Sequence, residues 1–214
     1  MNLIILGPQG SGKGTQAKLL VEKWGLFYLE VGQILRDLSK GKTPLGEQIA
    51  SFINKGELVP DQIMVDVLKT FLTEDNFKKG ILFDGFPRNL SQAHLLDEEL
   101  KNYQVVIDKI IFLNISFQES LKRLRARRSC PRCGQNYNLV TMPPKNDELC
   151  DECGSQLTTR PDETEAVIKE RLEIYQKETL PLIELYQQKG VLVEINGEQS
   201  VEAIHQEILK KISE

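Results

Sequence analysis

The chain has 214 residues, of which 40% are apolar, and a formal net charge of −4. This length suits one substantial hydrophobic core with a smaller inserted module. The acidic balance excludes a global positive field that would draw the protein onto DNA or anionic lipid. No apolar run approaches the roughly 18 residues of a membrane span, and the initial LIIL lacks the basic flank of a signal peptide, so we expect a cytoplasmic protein without a membrane partner.

Short unbroken apolar runs predict strands that are buried on both faces. These runs are LIIL (3–6), FYLE (27–30), ILFD (81–84), KIIFLNI (109–115) and VLVEI (191–195). Helical patterns lie between them, at 13–24, 61–73, 89–101, 117–127 and 163–188, the last of which Pro181 kinks or divides. The alternation predicts an α/β fold, with a five-stranded parallel sheet that carries helices on both faces.

Two segments interrupt this alternation. Residues 31–59 hold two short helical patterns, one of which begins at Thr43-Pro44 and ends at Gly56. Residues 128–160 hold all four cysteines and have no helical period. Because no flexible linker flanks either segment, we interpret both as insertions on one core.

The stretch GPQGSGKGT (7–15) lies between a predicted strand and a predicted helix, which is the context of a phosphate-binding loop. Its glycines allow backbone N–H groups to turn toward a phosphate, the helix N-terminus adds positive potential, and Lys13 can reach the outer phosphates. The loop departs from G-x-x-x-x-G-K-[ST] because Gly14 follows the lysine and Thr15 supplies the hydroxyl. A turn without a ligand is the alternative, but it would not need four glycines, each of which costs backbone entropy.

The stretch ILFDGFPR (81–88) supplies the second half of a phosphoryl-transfer site. Asp84 ends a predicted strand, where its carboxylate can hold Mg²⁺ directly or through water. A helix cap or a solvated acid is the structural alternative for Asp84. Arg88 lies just beyond the carboxyl end of the strand, which is the edge where open α/β sheets bind ligands.

The cysteines follow the pattern Cys130-x₂-Cys133-x₁₆-Cys150-x₂-Cys153. This is the spacing of a closed tetrahedral Zn²⁺ site, and in a reducing compartment it favours a metal over disulfides or free thiols. Four thiolates leave no open position, so the ion is predicted to be structural. The sequence does not separate zinc from iron.

The arginines beside the first cysteine pair, in LKRLRARRSCPRCG, suggest a different class of protein. A zinc ribbon with clustered arginines could bind nucleic acid, with the phosphate loop acting as an NTP-driven switch. However, the stretch has no interleaved aromatic residues for base stacking, and the chain as a whole is acidic. We therefore expect no nucleic-acid partner.

At this point the chain resembles the adenylate kinases of the long, zinc-containing bacterial type. The motifs that carry the resemblance span nearly the whole chain: GPQGSGKGTQ, GELVPD, DGFPRNLSQA, RARRSCPRCG and TTRPDETEAVIKERL. It implies reversible phosphoryl transfer from MgATP to AMP, giving two ADP, by a monomer. It also implies a core formed by residues 1–29, 60–125 and 164–214, an AMP-binding insertion at 30–59, and a mobile zinc-binding lid at 126–163.

The resemblance also implies the site residues. Catalysis is assigned to Lys13, Asp84, Arg88, Arg123, Arg127, Arg160 and Arg171. ATP binding is assigned to Gly10, Ser11, Gly12, Lys13, Gly14, Thr15, Arg127, Tyr137 and Gln199. AMP binding is assigned to Val31, Arg36, Glu57, Leu58, Val59, Gly85, Phe86, Pro87, Arg88, Gln92, Arg160 and Arg171. Structural Zn²⁺ is assigned to Cys130, Cys133, Cys150 and Cys153.

One stretch departs from the family pattern. Where the family usually has a Ser-Thr-Gly-Asp run, this chain has Glu30, Val31, Gly32 and Gln33. An apolar residue at 31 is similar to the UMP/CMP kinases, which are the alternative interpretation. Gln92 matches the amide that reads adenine in the family, since an amide can donate and accept in one plane. We therefore expect AMP as the acceptor, with reduced discrimination.

Overall fold

The computed structural model describes residues 1–146, 148–160 and 164–213. Its strands are β1 (Leu3–Leu6), β2 (Phe27–Glu30), β3 (Ile81–Asp84), β4 (Lys109–Asn114), β5 (Arg127–Ser129), β6 (Asn136–Asn138) and β7 (Leu192–Asn196). β5 and β6 form a separate antiparallel hairpin, and the other strands form a parallel five-stranded sheet in the order β2-β3-β1-β4-β7. The predicted α/β fold class is confirmed.

The helices of the described residues lie between and after these strands. They are α1 (Lys13–Trp24), α2 (Val31–Ser39), α3 (Pro44–Ile53), α4 (Asp61–Lys69), α5 (Glu74–Lys79), α6 (Leu90–Asn102), α7 (Phe117–Arg125), α8 (Glu165–Ile174), α9 (Pro181–Gln188) and α10 (Val201–Ser213). A π-helical turn at Tyr175–Thr179 joins α8 to α9. This turn is where the predicted helix 163–188 divides, because Pro181 has no N–H to continue the α-helical hydrogen bonds.

The hydrophobic core has two layers, one on each face of the sheet. Along β1, Leu3 and Ile5 pack toward α1 and α10, whereas Ile4 and Leu6 pack toward α6 and α9. All four side chains are buried, as expected for a central parallel strand whose alternate residues point to opposite faces. The two apolar layers hold the carboxyl ends of the strands in fixed positions.

The site lies where the strand order reverses direction. β1 pairs with β3 on one side and with β4 on the other, so the loop after β1 leaves the sheet at a topological switch point. Open parallel sheets bind ligands in the crevice outside the carboxyl ends at this point. The fold therefore places residues 7–12 and Asp84 at one edge.

The two segments that interrupt the alternation differ in how they are stabilised. α2 and α3 contribute Val31, Leu35 and Ile49 to the main core. The cysteine-containing segment has only a small cluster of its own, formed by Cys130, Tyr137, Cys150 and Leu157 with Cys153 against it. Of the predicted lid, residues 147 and 161–163 lie outside the described residues. Within the described part of the chain, no helix combines the length and apolar character needed to cross a membrane.

Candidate active site

Residues 9 to 12 of the loop between β1 and α1 line a cavity of about 850 Å³. Gly7, Gly10 and Gly12 have φ of 149°, 84° and 93°, which L side chains rarely adopt. At Gly7 an added Cβ would lie 2.6 Å from the backbone oxygen of Leu113, so only glycine fits. Gly12 caps α1 without a side-chain hydrogen bond, and the first turn contains no acidic residue. The positive end of the helix dipole is therefore available to an anion.

Lys13 lies over this loop. Its Nζ donates to the backbone oxygens of Gly7 at 2.7 Å and Pro8 at 2.9 Å. Burial lowers the pKa of Lys13 to about 8, Asp84 opposes this shift, and Arg88 and Arg127 add to it. A lysine whose charge is disfavoured by burial and by like charges binds a phosphate well, because the anion offsets both costs.

Asp84 lies at the carboxyl end of β3, opposite the loop. Its side chain is buried, and its Oδ2 accepts a hydrogen bond of 2.9 Å from the hydroxyl of Tyr28. A Cβ added to Gly14 would lie 3.6 Å from the same oxygen, so the carboxylate is next to the first turn of α1. This buried carboxylate oxygen beside a phosphate loop is the type of ligand that Mg²⁺ prefers.

Arg88 lies beyond β3, on the side of the cavity toward α2. Its Nε donates to the backbone oxygen of Gly85 at 2.9 Å, and its backbone N–H donates to Oε1 of Gln92 at 2.8 Å. Burial, and secondarily Arg171 and Arg36, lower the pKa of Arg88 to about 10, although Asp84 opposes the shift. Like charges gathered in a partly buried site are stabilised when an anion binds between them.

Four further arginines reach the cavity from separate elements: Arg123 in α7, Arg127 in β5, Arg160 at the end of the cysteine segment, and Arg171 in α8. Arg123 is buried, and it donates to Oε1 of Glu119 at 2.7 Å and to the backbone oxygen of Gly197 at 2.9 Å. Arg160 donates to Ser129 Oγ at 3.0 Å and to Asn136 Oδ1 at 2.6 Å. The structure therefore brings together cations that are far apart in sequence.

Most of the predicted nucleotide-binding residues line this one cavity. The lining includes every residue assigned to catalysis or ATP binding, and of the AMP set Arg36, Glu57, Leu58, Val59, Gly85, Arg88, Gln92, Arg160 and Arg171. Val31, Phe86 and Pro87 do not line it, and the side chains of all three are buried. Val31 and Phe86 pack in the main core, and the neighbouring residues Gly32 and Gly85 line the cavity instead.

Sequence reasoning missed the residues that hold the arginines. Ser129 and Asn136 fix Arg160 across the β5-β6 hairpin, and no sequence pattern predicted that hairpin. Glu119 precedes Arg123 by four residues on α7, and this spacing could have indicated the pair. Gly197 supplies its carbonyl from the end of β7, which only the topology brings near α7.

Tyr137 and Gln92 have environments that the sequence did not predict. Tyr137 is buried in the cysteine cluster, and its hydroxyl accepts from the backbone N–H of Asp151 at 2.9 Å and lies 3.5 Å from Cys150 Sγ. Its hydroxyl thus faces the sulfur of Cys150. Gln92 accepts from the backbone N–H of Arg88 and donates to Asp61 Oδ1 at 3.0 Å. One amide N–H of Gln92 is not used by these bonds.

The four cysteines form one cluster. Their Sγ atoms all lie within 4.8 Å of one another, with Cys130 to Cys153 at 3.4 Å and Cys133 to Cys150 at 3.5 Å. Disulfide sulfurs would be about 2.05 Å apart, whereas thiolates at about 2.3 Å from a tetrahedral Zn²⁺ are about 3.8 Å apart. The donor set and its spacing are compatible with zinc.

Comparison with known proteins gives the family. The family model described as adenylate kinase matches residues 5–191. The chain belongs to the adenylate kinase family. It is 42% identical over 208 residues to the adenylate kinase of Archaeoglobus fulgidus, covering 97% of this chain and 96% of that protein. It is 42% identical to the adenylate kinase of Thermodesulfovibrio yellowstonii, covering 97% of each chain, and 43% identical to one from Clostridium botulinum, covering 95% and 94%.

The comparisons favour the adenylate kinase interpretation over the two alternatives. The chain is an enzyme of this kinase family, and the sequence prediction of the family is confirmed. Since the aligned region spans nearly the full length of the adenylate kinases compared, it includes both segments that interrupt the strand-helix alternation. The arginines beside the cysteine segment therefore belong to a nucleotide-binding enzyme, and a zinc ribbon that binds nucleic acid is disfavoured.

Proposed function

We propose that this enzyme transfers a phosphoryl group reversibly from MgATP to AMP through the cavity at the carboxyl edge of the sheet. The observation that carries the proposal is the lining of that cavity. Lys13, Asp84 and Arg88 lie on it, together with arginines from α7, β5, α8 and residue 160. Such a concentration of positive charge, in a chain whose net charge is −4, suits two polyanionic substrates.

The proposed chemistry needs electrostatic stabilisation and positioning more than proton transfer. The phosphate of AMP is already ionised near pH 7, so no general base is required, and the barrier lies in bringing two anions together. Lys13 and the N-terminus of α1 would hold the phosphates of ATP, and Arg36 and Arg88 would hold the phosphate of AMP. Mg²⁺, bound with ATP and held through Asp84, would neutralise charge on the transferred group.

We further propose that residues 126–163 are a lid and residues 30–59 an acceptor-binding insertion on a core of residues 1–29, 60–125 and 164–214. A kinase must keep water away from the transferred phosphoryl group, and a closing lid does this. The small apolar cluster of the cysteine segment supports a separate stabilising ion for it, which we propose to be Zn²⁺. Arg127 and Arg160 lie near the two ends of the lid and would reach the phosphates when it closes.

The choice of acceptor nucleotide depends on the side chains that can form hydrogen bonds with its base. Gln92 lies on the cavity and retains an unused amide N–H, which supports adenine as the base. Val31 offers no polar group, as in the UMP/CMP kinases, so weaker discrimination is proposed. A site with a buried polar edge still rejects mismatched bases, because its groups would be left unpaired.

Parallel coupled assays of ATP with AMP, CMP, UMP, dAMP and GMP test the acceptor. We expect AMP to give the highest kcat/KM, by on the order of 10-fold or more over CMP and UMP, since an unpaired polar edge costs at least this factor. The measurement is ADP formation at several acceptor concentrations for each nucleotide. A higher kcat/KM for CMP or UMP than for AMP would assign the enzyme to the alternative specificity.

Val31→Thr tests the contribution of residue 31 to acceptor choice. The substitution keeps the shape of the side chain and adds one hydroxyl within the acceptor insertion, between Glu30 and Gly32, which line the cavity. We expect the ratio of kcat/KM for AMP to that for CMP to rise by roughly 3- to 10-fold, the scale of one added hydrogen bond. Val67→Thr is the matched control, because Val67 is also buried but lies in α4, outside the acceptor insertion. An unchanged ratio in Val31→Thr would contradict the role of residue 31.

A further inference from the structure

Glu30 places a carboxylate on the acceptor side of the cavity. It is the last residue of β2, lies directly before α2, and is the register partner of Asp84 on the neighbouring strand. Register partners on parallel strands have their side chains on the same face, about 4.8 Å apart at the backbone. Glu30 lines the cavity, and its side chain is 29% exposed. A negative charge therefore lies next to the predicted position of the acceptor phosphate.

The Glu30 carboxylate contacts Arg36 and also interacts with the hydroxyl of Tyr28. Glu30 Oε1 lies 3.4 Å from Arg36 Nη2, a long distance for an ion pair. Arg36 is also held by Gln33, whose Oε1 accepts from Nη2 at 2.9 Å and from Nε at 3.3 Å. Because a neutral amide already orients this guanidinium, the carboxylate of Glu30 is not needed to position it.

The environment of Glu30 disfavours its negative charge. Burial, and then the carboxylate of Asp84, raise the pKa of Glu30, while Arg36, Lys18 and Arg160 oppose the shift. Neighbouring carboxylates repel each other most strongly where solvent screening is weak. A phosphate dianion that arrives at Arg36 would add further negative charge beside this pair.

We propose that the Glu30 carboxylate competes with the phosphate of the incoming nucleotide for Arg36. The phosphate displaces the carboxylate from Arg36, and this competition limits the affinity for the acceptor. This inference rests on the proposed function, in which Arg36 binds the acceptor phosphate. A phosphate forms a shorter, bidentate pair with a guanidinium, so it outcompetes the carboxylate. The repulsion that remains increases with the charge of the nucleotide. Glu30 therefore selects a nucleoside monophosphate over nucleotides with longer phosphate chains.

Removal of this charge tests the inference. In Glu30→Gln we expect the Kd of AMP, measured by calorimetry without ATP, and the KM for AMP to fall by about 10-fold, the scale of one nearby like charge at a partly exposed site. The KM for ATP should be unchanged, and kcat should change by less than about 3-fold, because the repulsion acts on acceptor binding. Inhibition by excess ATP at the acceptor site should become stronger.

Three variants make the test specific. Glu30→Asp retains the charge and should stay nearer the wild-type KM for AMP. Glu47→Gln is the matched control, since Glu47 is exposed in α3, carries the same charge and does not line the cavity. Glu30→Ser, a smaller neutral substitution, should lower the KM for AMP in the same direction and serves if Glu30→Gln does not fold.

The outcomes separate the inference from the function on which it rests. A wild-type enzyme that does not phosphorylate AMP would overturn the proposed function. Wild-type activity with an unchanged or raised KM for AMP in both neutral variants would overturn only the role of Glu30. A raised KM would instead show that Glu30 helps Arg36 to bind the acceptor.

Discussion

Replacement of Lys13 by alanine is expected to lower kcat by on the order of 100-fold or more, with the folded structure retained. This is the scale observed when one preorganised donor is removed from a transition state that develops negative charge. The Nζ of Lys13 lies over the phosphate loop, where it donates to the backbone oxygens of Gly7 and Pro8 and, at 3.5 Å, to Ser11 Oγ. Arg88→Ala should have a similar effect from the acceptor side, because Arg88 lines the same cavity and its charge acts on Lys13 and is itself affected by Asp84.

The matched control for Lys13→Ala is Lys79→Ala. Lys79 is exposed at the end of α5 and does not line the cavity, so its removal changes the net charge equally without touching the site. Initial rates at saturating ATP and AMP give kcat, and circular dichroism verifies that each variant is folded. A folded Lys13→Ala enzyme with near wild-type kcat would contradict the role proposed for the loop lysine.

The centre of the sheet was predictable from sequence because its strands are buried on both faces, whereas the outer strands β2 and β7 are only partly buried, contrary to the prediction. β1, β3 and β4 appear as unbroken apolar runs, and the glycines at positions 7 to 14 mark the loop between strand and helix. α1 begins and ends where the sequence predicted, at Lys13 and Trp24. These features are local, and a local pattern of burial and conformational freedom is what a single sequence records.

Elements that depend on neighbours were not predictable. α5 has only six residues and none of them buried, so it leaves no apolar period to detect. The predicted helix 61–73 ends earlier, at Lys69, because α5 begins anew with Thr73 as its cap. The β5-β6 hairpin belongs to the segment that carries the cysteine cluster. Its strands have no alternating apolar pattern from which they could be predicted.

Within the site, sequence identified the charges but not the groups that hold them. Arg160 depends on Ser129 and Asn136, two polar residues whose roles arise only from the pairing of two short strands. Glu30 was noted as a departure from the family pattern, but its contact with Arg36 depends on the path of the chain from β2 into α2. Long-range contacts of this kind come from topology, which residue types alone do not specify.

Replacement of Cys150 by serine is expected to have the second large effect, on stability. A structural metal contributes its binding free energy to folding, so loss of one thiolate should lower the Tm by roughly 5 °C or more in a chain of this size. The cysteine segment has few buried apolar residues to compensate. Hydrogen exchange should increase most within residues 128–160, and the KM values for ATP and AMP should change less than the stability of this segment.

Gln156→Ala is the control for Cys150→Ser, because Gln156 is exposed in the same segment and is not one of the clustered cysteines. Elemental analysis of wild-type protein, purified under reducing conditions, should give one zinc per chain. Iron in its place would keep the four-thiolate site but change the ion, and the visible absorption of iron thiolates distinguishes it from d¹⁰ zinc. If wild-type protein contains neither metal and has the same Tm as Cys150→Ser, the metal site is excluded. The four sulfur atoms, which lie within 4.8 Å of one another, would then stabilise the segment only by packing.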